Sequence, residues 1–403
     1  NGEKVVRLHR RIKVLKPAAV ESLGEVRMPY NSYRAKAKFV RGRTILPDGR
    51  ELEVDRKAIR QGQSAGMTDY LMYEDVAELS FSMPAVKVGA ILDYEIELRH
   101  HRPTLKGQSW DSFRVEANVP VQEARYLLKA PSKLPLRICP RRTDAKPTEQ
   151  KGFRSITREW VFKDVPRFHF EPGMPAVYDS QIAIHVTTLQ SWRVIQDWYA
   201  KLAEDAFTAD DAIRAKVAEL TAGATTEQAK IRALYLFMQK DIRYVGIELG
   251  RSAYQPHPAV DCFRNRYGDC KDQAVLLITM LRQIGIEAHL ALVRAGDGTV
   301  DRELPDVGQF NHVIVYVPRS DGPLWLDATV KYMDEASHPH HLDNAQALIA
   351  DAPEGTEFIT IVPPRPDRSC QRTIYEVDVQ AEGSCQIKEI LEYVGRNGAQ
   401  SRV

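Results

Sequence analysis

The chain has 403 residues, 43% hydrophobic and 27% charged, an ordinary globular composition with room for two or three cores. Its 56 basic and 54 acidic side chains leave a formal net charge of +2, too small a surplus to draw it toward nucleic acid or an anionic membrane. The apolar runs are short, such as Ala274–Leu277, whereas a membrane helix needs about twenty apolar residues, so no integral membrane segment is expected. No signal peptide is visible, and because the chain opens on Asn1 this carries no information about export.

Residues 1–185 read as a β-rich domain. Alternating runs recur at Val5–Leu15, Tyr33–Val40, Glu78–Met83, Ile91–Leu98, Arg125–Lys129 and Trp160–Phe162. Turn chemistry separates them, as in Leu46-Pro47-Asp48-Gly49 and Lys87-Val88-Gly89. This pattern predicts a β-sandwich or a related two-sheet domain. The first run is rich in cations (Lys4, Arg7, Arg10, Arg11, Lys13, Lys16), with Val6, Leu8, Ile12 and Val14 alternating between them. It predicts a strand with one solvated cationic face. No aromatic stacking pattern accompanies the charge, so a nucleic-acid arm is not expected.

Near residue 190 the apolar period changes from two to that of a helix. Ser191 is placed to cap a helix carrying Trp192, Ile195, Trp198, Tyr199 and Leu202. Thr208 opens a second, with Ile213, Val217 and Leu220, ended by Gly223. Thr225-Thr226-Glu227-Gln228 has capping-box form ahead of a third, with Ile231, Leu234, Phe237 and Met238 inward. A fourth runs from Asp269 to Ile284, stops at Gly285 and buries Ala274, Leu277, Ile278, Leu281 and Ile284. Strands are expected at Ala288–Val293, Asn311–Val317 and Leu324–Asp327, which makes residues 186–362 an α+β domain. The stretch Val362-Pro363-Pro364-Arg365-Pro366 reads as a linker. Beyond it, Thr373–Val379 and Gln386–Tyr393 flank Glu382-Gly383 as a hairpin. A lone hairpin is unstable in water, so residues 363–403 read as the start of a further β domain that packs elsewhere or continues past Val403. The fold class is thus multidomain α+β.

The chemistry concentrates in Arg266-Tyr267-Gly268-Asp269-Cys270-Lys271-Asp272. Gly268 permits a tight turn and a helix begins at once. Cys270 therefore falls in the first helical turn, where unpaired amides and the positive dipole end favour a thiolate and could stabilise an oxyanion. For this residue alone, a buried inert cysteine is an equal alternative. Downstream, alternation puts His312, Ile314 and Tyr316 on one strand face, and Trp325 with Asp327 on the next. Pairing Val317 with Leu324 across the loop Pro318–Pro323 brings His312 and Asp327 onto nearby rungs, where the carboxylate could orient the imidazole. A half-buried histidine satisfied by a neighbouring acid is the bland alternative. Thiol, imidazole and carboxylate together follow the nucleophile–base–orienter logic of thiol catalysis.

The segments Asn265-Arg266-Tyr267-Gly268-Asp269-Cys270-Lys271-Asp272, Phe310-Asn311-His312-Val313-Ile314-Val315 and Trp325-Leu326-Asp327-Ala328-Thr329 resemble a bacterial transglutaminase-like domain, of the superfamily sharing its core with papain-type cysteine proteases. The resemblance implies Cys270 as nucleophile, His312 as base and Asp327 as the residue that orients it. Residues 1–185 resemble the uncharacterised β domain that precedes such domains in many bacterial proteins, through Leu46-Pro47-Asp48-Gly49-Arg50 and Val86-Lys87-Val88-Gly89-Ala90-Ile91-Leu92-Asp93-Tyr94. Proteins of this arrangement are often exported, so the resemblance suggests a periplasmic or exported location, with the cytoplasm as the alternative. Related enzymes complete the oxyanion hole with a side chain upstream of the nucleophile, for which Gln255 is preferred to Tyr254, with an ordinary loop residue as the alternative for either. The implied activity is acyl transfer from peptide amides through a thioester, by a cysteine peptidase or amidase, with a protein or peptide as substrate. The alternative is a catalytically silent binding or assembly module on the same scaffold.

Other features are set aside. His338, His340 and His341 crowd near Asp334, Glu335 and Asp343, but Pro339 interrupts them and no i, i+4 spacing exists, so a solvated loop is expected instead of a metal site. Cys262 and His257 lack tetrahedral zinc spacing, and Cys262 reads as packing. Ala295-Gly296-Asp297-Gly298 lacks calcium-loop spacing, so no cofactor or metal is expected. Five cysteines without a CxxC pair are too few for a disulfide scaffold, although Cys370 and Cys385 could bridge neighbouring strands. Oligomeric state is not legible.

Overall fold

The computed structural model describes residues 2–63, 72–171, 174, 180–296, 299–352, 358–365 and 368–400. Asp297 and Gly298 of the acidic loop, and Pro366 of the proline-rich stretch, lie outside the described residues. The chain divides into two compact units, Asn1–Ser109 with Gly246–Tyr254, and Trp110–Val245 with Gln255–Val403.

The first unit contains two antiparallel sheets. One orders Lys4–Lys13, Ile91–His100, Ala35–Ile45 and Glu51–Glu53 side by side, and the other Glu25–Asn31, Val76–Ser82 and Arg60–Gln63. Their inner faces share a core in which Leu79 and Phe81 meet Leu92, Tyr94 and Ile96. Phe81 packs edge-on against Phe39 and Tyr94, with ring centroids 4.8 and 5.8 Å away. The turns at Gly49 and Gly89 have φ of +88° and +86°, the left-handed region that glycine enters without a Cβ penalty. The first strand alternates as expected, but its outer face is ion-paired instead of merely solvated. Arg7 meets Glu97 at 2.9 Å and His9 meets Asp93 at 2.7 Å across the ladder. Arg41 and Arg43 close on the same Asp93 carboxylate at 3.2 and 3.1 Å. Burial of Asp93 favours its neutral form, but hydrogen bonds from His9, Arg43 and Arg41 outweigh that and hold it at about 2. A short parallel strand, Gly246–Glu248, joins Met72–Glu74 in this unit.

The second unit begins with two three-stranded sheets. Ser155–Val165 lies between Val121–Pro131 and Thr148–Lys151, and Ala183–Thr187 between Arg137–Arg141 and Trp110–Arg114. Trp160, Ile184 and Val186 form their common core with Tyr126, Leu128 and Phe162.

The helices follow, and their capping corrects the sequence reading in detail. The first, Arg193–Ala203, starts one residue later than a Ser191 cap would put it, with Trp192 at the cap position. The second, Asp211–Thr221, is capped by Asp210, whose carboxylate accepts from the Ile213 amide; the Thr208 hydroxyl is spent on the Asp205 carbonyl. The third, Glu227–Asp241, is capped by the Thr226 hydroxyl alone, because its third residue is Ala229 and no Glu or Gln is there to close a box. The inward residues Ile231, Leu234, Phe237 and Met238 are buried as expected. Cys270–Gln283 is the central helix. It is buried on every side from Cys270 to Leu281, not along a stripe, and packs against Asp211–Thr221, Glu227–Asp241 and the short helix Ala259–Asn265, and against His312–Val317.

Five antiparallel strands complete this layer, ordered Leu324–Leu326, His312–Val317, His289–Val293, Gln346–Ile349 and Phe358–Thr360. Val317 pairs with Leu324, the register expected from alternation and loop length. The terminal hairpin pairs Cys370–Val379 with Cys385–Val394. Cys370 lies opposite Val394 and Cys385 opposite Val379, at opposite ends of the ladder, so the two thiols cannot bridge, and both are free.

Candidate active site

The site is built at the start of the Cys270–Gln283 helix. Asp269 is the N-cap: its carboxylate accepts the amides of Lys271 (3.1 Å) and Asp272 (3.2 Å), and its carbonyl accepts that of Gln273. Asp272 answers by accepting the Asp269 amide at 3.3 Å, closing a reciprocal capping box. Four amides around the turn are thereby occupied. The Cys270 amide, first in the helix, has no partner among the described residues. Gly268 is needed for a reason other than the expected tight turn. A Cβ there would lie 2.7 Å from the Asp272 Cβ and 3.0 Å from the Cys262 sulfur, so glycine is what lets the preceding strand pass the cap. Cys262 is buried packing, as expected, and burial pushes its thiol well up.

The charges of this turn are compensated locally. The buried Lys271 ammonium pairs with Asp269. Burial alone would drive Lys271 neutral, but Asp269 and Cys270 hold it charged. Asp272 also receives the His257 amide at 2.8 Å and its Nδ1 at 3.1 Å, and this contact raises His257 above the ordinary imidazole value.

The opposite wall comes from the sheet. Asp327, one residue past Leu324–Leu326, is wholly buried and held at every oxygen. Its Oδ1 accepts the Thr329 amide (3.0 Å) and hydroxyl (2.6 Å), and its carbonyl accepts the Tyr235 hydroxyl at 2.9 Å. Its Oδ2 faces His312 Nε2 at 2.9 Å. A carboxylate can only accept, so that nitrogen carries a proton and Nδ1 is left free to face Cys270, whose side chain interacts with the ring. Burial disfavours the charged ring, yet the Asp327 carboxylate and the Cys270 contact outweigh it and raise His312 to about 10. Burial opposes the charge on Asp327 as well, but His312, His341 and Thr329 hold it well below the usual carboxylate range.

Cys270, His312 and Asp327 are therefore brought together. Two further histidines belong to the neighbourhood without having been expected there. His257 orients Asp272, and His341 places Nε2 3.4 Å from Asp327 Oδ2. Its ring centroid is 6.1 Å from that of His312. The donor atoms of His312, Asp327 and His341 lie within 4.8 Å of one another, a set that could hold a metal ion. No spacing in the sequence signals this, because His341 arrives from a loop fifteen residues beyond the strand end. Its neighbours His338 and His340 turn instead to Asp343, at 3.2 and 3.5 Å. The two oxyanion candidates separate. Tyr254 belongs to the first unit, its ring under the Arg34 guanidinium at 5.3 Å. Gln255 belongs to the second unit, and its side chain makes no hydrogen bond among the described residues.

A buried helix bearing a cysteine at its mouth, packed on an antiparallel sheet that presents histidine and aspartate, defines a transglutaminase-like domain. Residues 214–331 match the model of the transglutaminase-like superfamily, and residues 1–168 match that of DUF3857, a domain of unknown function with a solved structure. The chain thus carries a DUF3857 domain followed by a transglutaminase-like domain. No curated protein matches it. Among solved structures, a candidate protease from Parabacteroides distasonis superposes with a TM-score of 0.71 at 16% identity, over 90% of this chain and 69% of that one, which shows a common fold. A candidate cysteine protease from Cytophaga hutchinsonii (TM-score 0.26, 14% identity, 55% of this chain and 75% of that one) superposes too loosely to carry an argument. The same holds for the periplasmic domain of TgpA from Pseudomonas aeruginosa (0.21, 15%, 58% and 77%).

Proposed function

We propose that this protein is a thiol enzyme that cleaves amide bonds of peptides or proteins through a Cys270–His312–Asp327 triad. The observation that carries the reading is a His312 ring whose Nε2 is held 2.9 Å from the buried Asp327 while the Cys270 side chain, at the mouth of the adjoining helix, interacts with the same ring. The charged His312 ring supplies the countercharge under which the Cys270 sulfur reacts as the thiolate. The thiolate attacks the carbonyl carbon of an amide, and the oxyanion meets the unpartnered Cys270 amide, with Gln255 as the second donor. His312 passes its proton to the departing amine as the C–N bond breaks, leaving a thioester on Cys270. Water then attacks the thioester carbonyl, giving its proton to His312, and the carboxylic acid leaves as the C–S bond breaks. An amine in place of water would give transamidation by the same first half; hydrolysis is preferred because water needs no acceptor pocket.

The test is alkylation of the intact protein at neutral pH with iodoacetamide, followed by peptide mapping, alongside turnover of a mixed peptide library. Selective labelling of Cys270, abolished in His312→Ala, together with cleavage abolished in Cys270→Ala, is the expected result. Equal labelling of all five cysteines overturns the proposal. So does library cleavage that survives Cys270→Ala.

A further inference from the structure

Two imidazole Nε2 atoms converge on one carboxylate oxygen. His312 approaches Asp327 Oδ2 at 2.9 Å from the strand and His341 at 3.4 Å from the loop. A triad needs one histidine on its carboxylate, and the second has no part in the acyl-transfer steps above. Thr329 engages Oδ1 with both its amide and its hydroxyl, so the carboxylate is fixed with Oδ2 turned toward the two rings. The two histidines also differ in freedom. The His312 side chain is 13% exposed, whereas that of His341 is 42% exposed and opens the cluster to solvent.

We propose that His312, Asp327 and His341 form a binding site for a divalent transition-metal ion of zinc type, and that the bound ion silences the thiol site reversibly. Two imidazoles and a carboxylate are a known three-ligand set for zinc, with water in the fourth position. Zinc–nitrogen and zinc–oxygen bonds of about 2.0–2.1 Å put tetrahedral ligands about 3.3 Å apart. The His341–Asp327 separation of 3.4 Å already meets that spacing, and the His312–Asp327 separation of 2.9 Å has to open by roughly 0.4 Å. The remaining pair lies within 4.8 Å and closes by rotation of the exposed His341.

The consequence for chemistry follows from proton placement. The ion replaces the protons on both Nε2 atoms, which pass to water. His312 then holds its one remaining proton on Nδ1, the nitrogen that faces the Cys270 thiol. Giving up that proton would leave an imidazolate, so the metal-bound ring is a far weaker acid toward the departing amine than the charged ring it replaces. Cys270 is not a member of the cluster, so metal binding itself does not depend on the proposed reaction; only the silencing does.

The experiment titrates zinc into the full chain against a chromophoric chelator, without turnover, and compares wild type with His341→Ala, Cys270→Ser and His340→Ala. One zinc per chain, kept in Cys270→Ser and His340→Ala and bound at least tenfold more weakly in His341→Ala, is the expected pattern. His341 is exposed, so its replacement leaves the core intact. Absence of a stoichiometric site in wild type overturns the proposal. So does undiminished binding in His341→Ala, and so does loss in Cys270→Ser or His340→Ala, which would put the ion on the thiol or on the Asp343 cluster. If zinc binds as stated but library cleavage is unaffected by it, the silencing is wrong. If there is no cleavage to inhibit, the proposed activity fails and the metal site stands.

Discussion

Replacing Asp327 by Asn keeps the size of the side chain and removes its charge. Holding His312 at about 10 against an ordinary 6.5 corresponds to roughly 5 kcal/mol in favour of the charged ring. Part of this comes from Cys270, but the first favourable contribution is the attraction to Asp327, and burial works the other way. With the carboxylate gone, burial is opposed only by the thiol, and the imidazole is expected to be mainly neutral at pH 7. The countercharge that would favour ionisation of the Cys270 sulfur is lost at the same time. Alkylation of Cys270 at pH 7 should then slow by about 10²–10³-fold, below the roughly 10⁴-fold loss that the equivalent change causes in turnover by serine triads. The assay is the second-order rate of iodoacetamide labelling at Cys270 between pH 5 and 10. Wild type should label faster than the variant at pH 7, and the gap should narrow above about 10, where His312 loses its charge in wild type as well. A variant within threefold of wild type at pH 7 would refute the claim that Asp327 maintains the charge on His312.

Three further changes probe the scaffold. Gly268→Ala pushes a methyl group against Asp272 and Cys262, neither of which can retreat, and should cost about 1–3 kcal/mol, read as a lower thermal midpoint; an unchanged midpoint refutes the close-approach argument. Lys271→Met leaves Asp269 buried without its cation and should destabilise by about 3–5 kcal/mol at pH 7 in denaturant unfolding, with a smaller effect at acid pH, where Asp269, which burial raises, takes up a proton. Asp93 is held at about 2 in the folded state, below its ordinary 3.8. Its contribution to stability is therefore complete above 3.8 and is lost as pH falls through about 2. Between pH 5 and 2 the urea midpoint of wild type should fall more steeply than that of Asp93→Asn, and parallel slopes would contradict the assignment.

What could be read in the sequence was whatever a local period encodes. The Val317–Leu324 register followed from alternation and a six-residue loop, and it set His312 and Asp327 side by side. The helix at Cys270 followed from an acidic cap and an apolar run, although its burial on all sides depends on three helices and a sheet that no window of sequence contains. Strand Glu25–Asn31 escaped notice because Pro29 interrupts it; the structure accommodates the missing N–H by placing this strand at a sheet edge. Thr208 and Asp210 both have capping side chains, and only the helix phase, set by burial of Ile213 and Val217, chooses between them. His341 was hidden for a different reason. Its role is defined by a contact with Asp327 across a loop, and loops have no period to read.

The path of the chain between Val245 and Gln255 bears on how this protein can be dissected. Gly246–Tyr254 is a nine-residue excursion from the second unit that adds a parallel strand to Met72–Glu74 in the first. Cutting once after Ser109 would thus strip that strand of its partner and leave unpaired backbone just ahead of Gln255, His257 and the nucleophile helix. Clean separation takes two edits, a terminal deletion and a short bridge in place of residues 246–254. A fragment made by the first alone is expected to aggregate, and its inactivity would then reflect the exposed strand edge instead of the chemistry of Cys270.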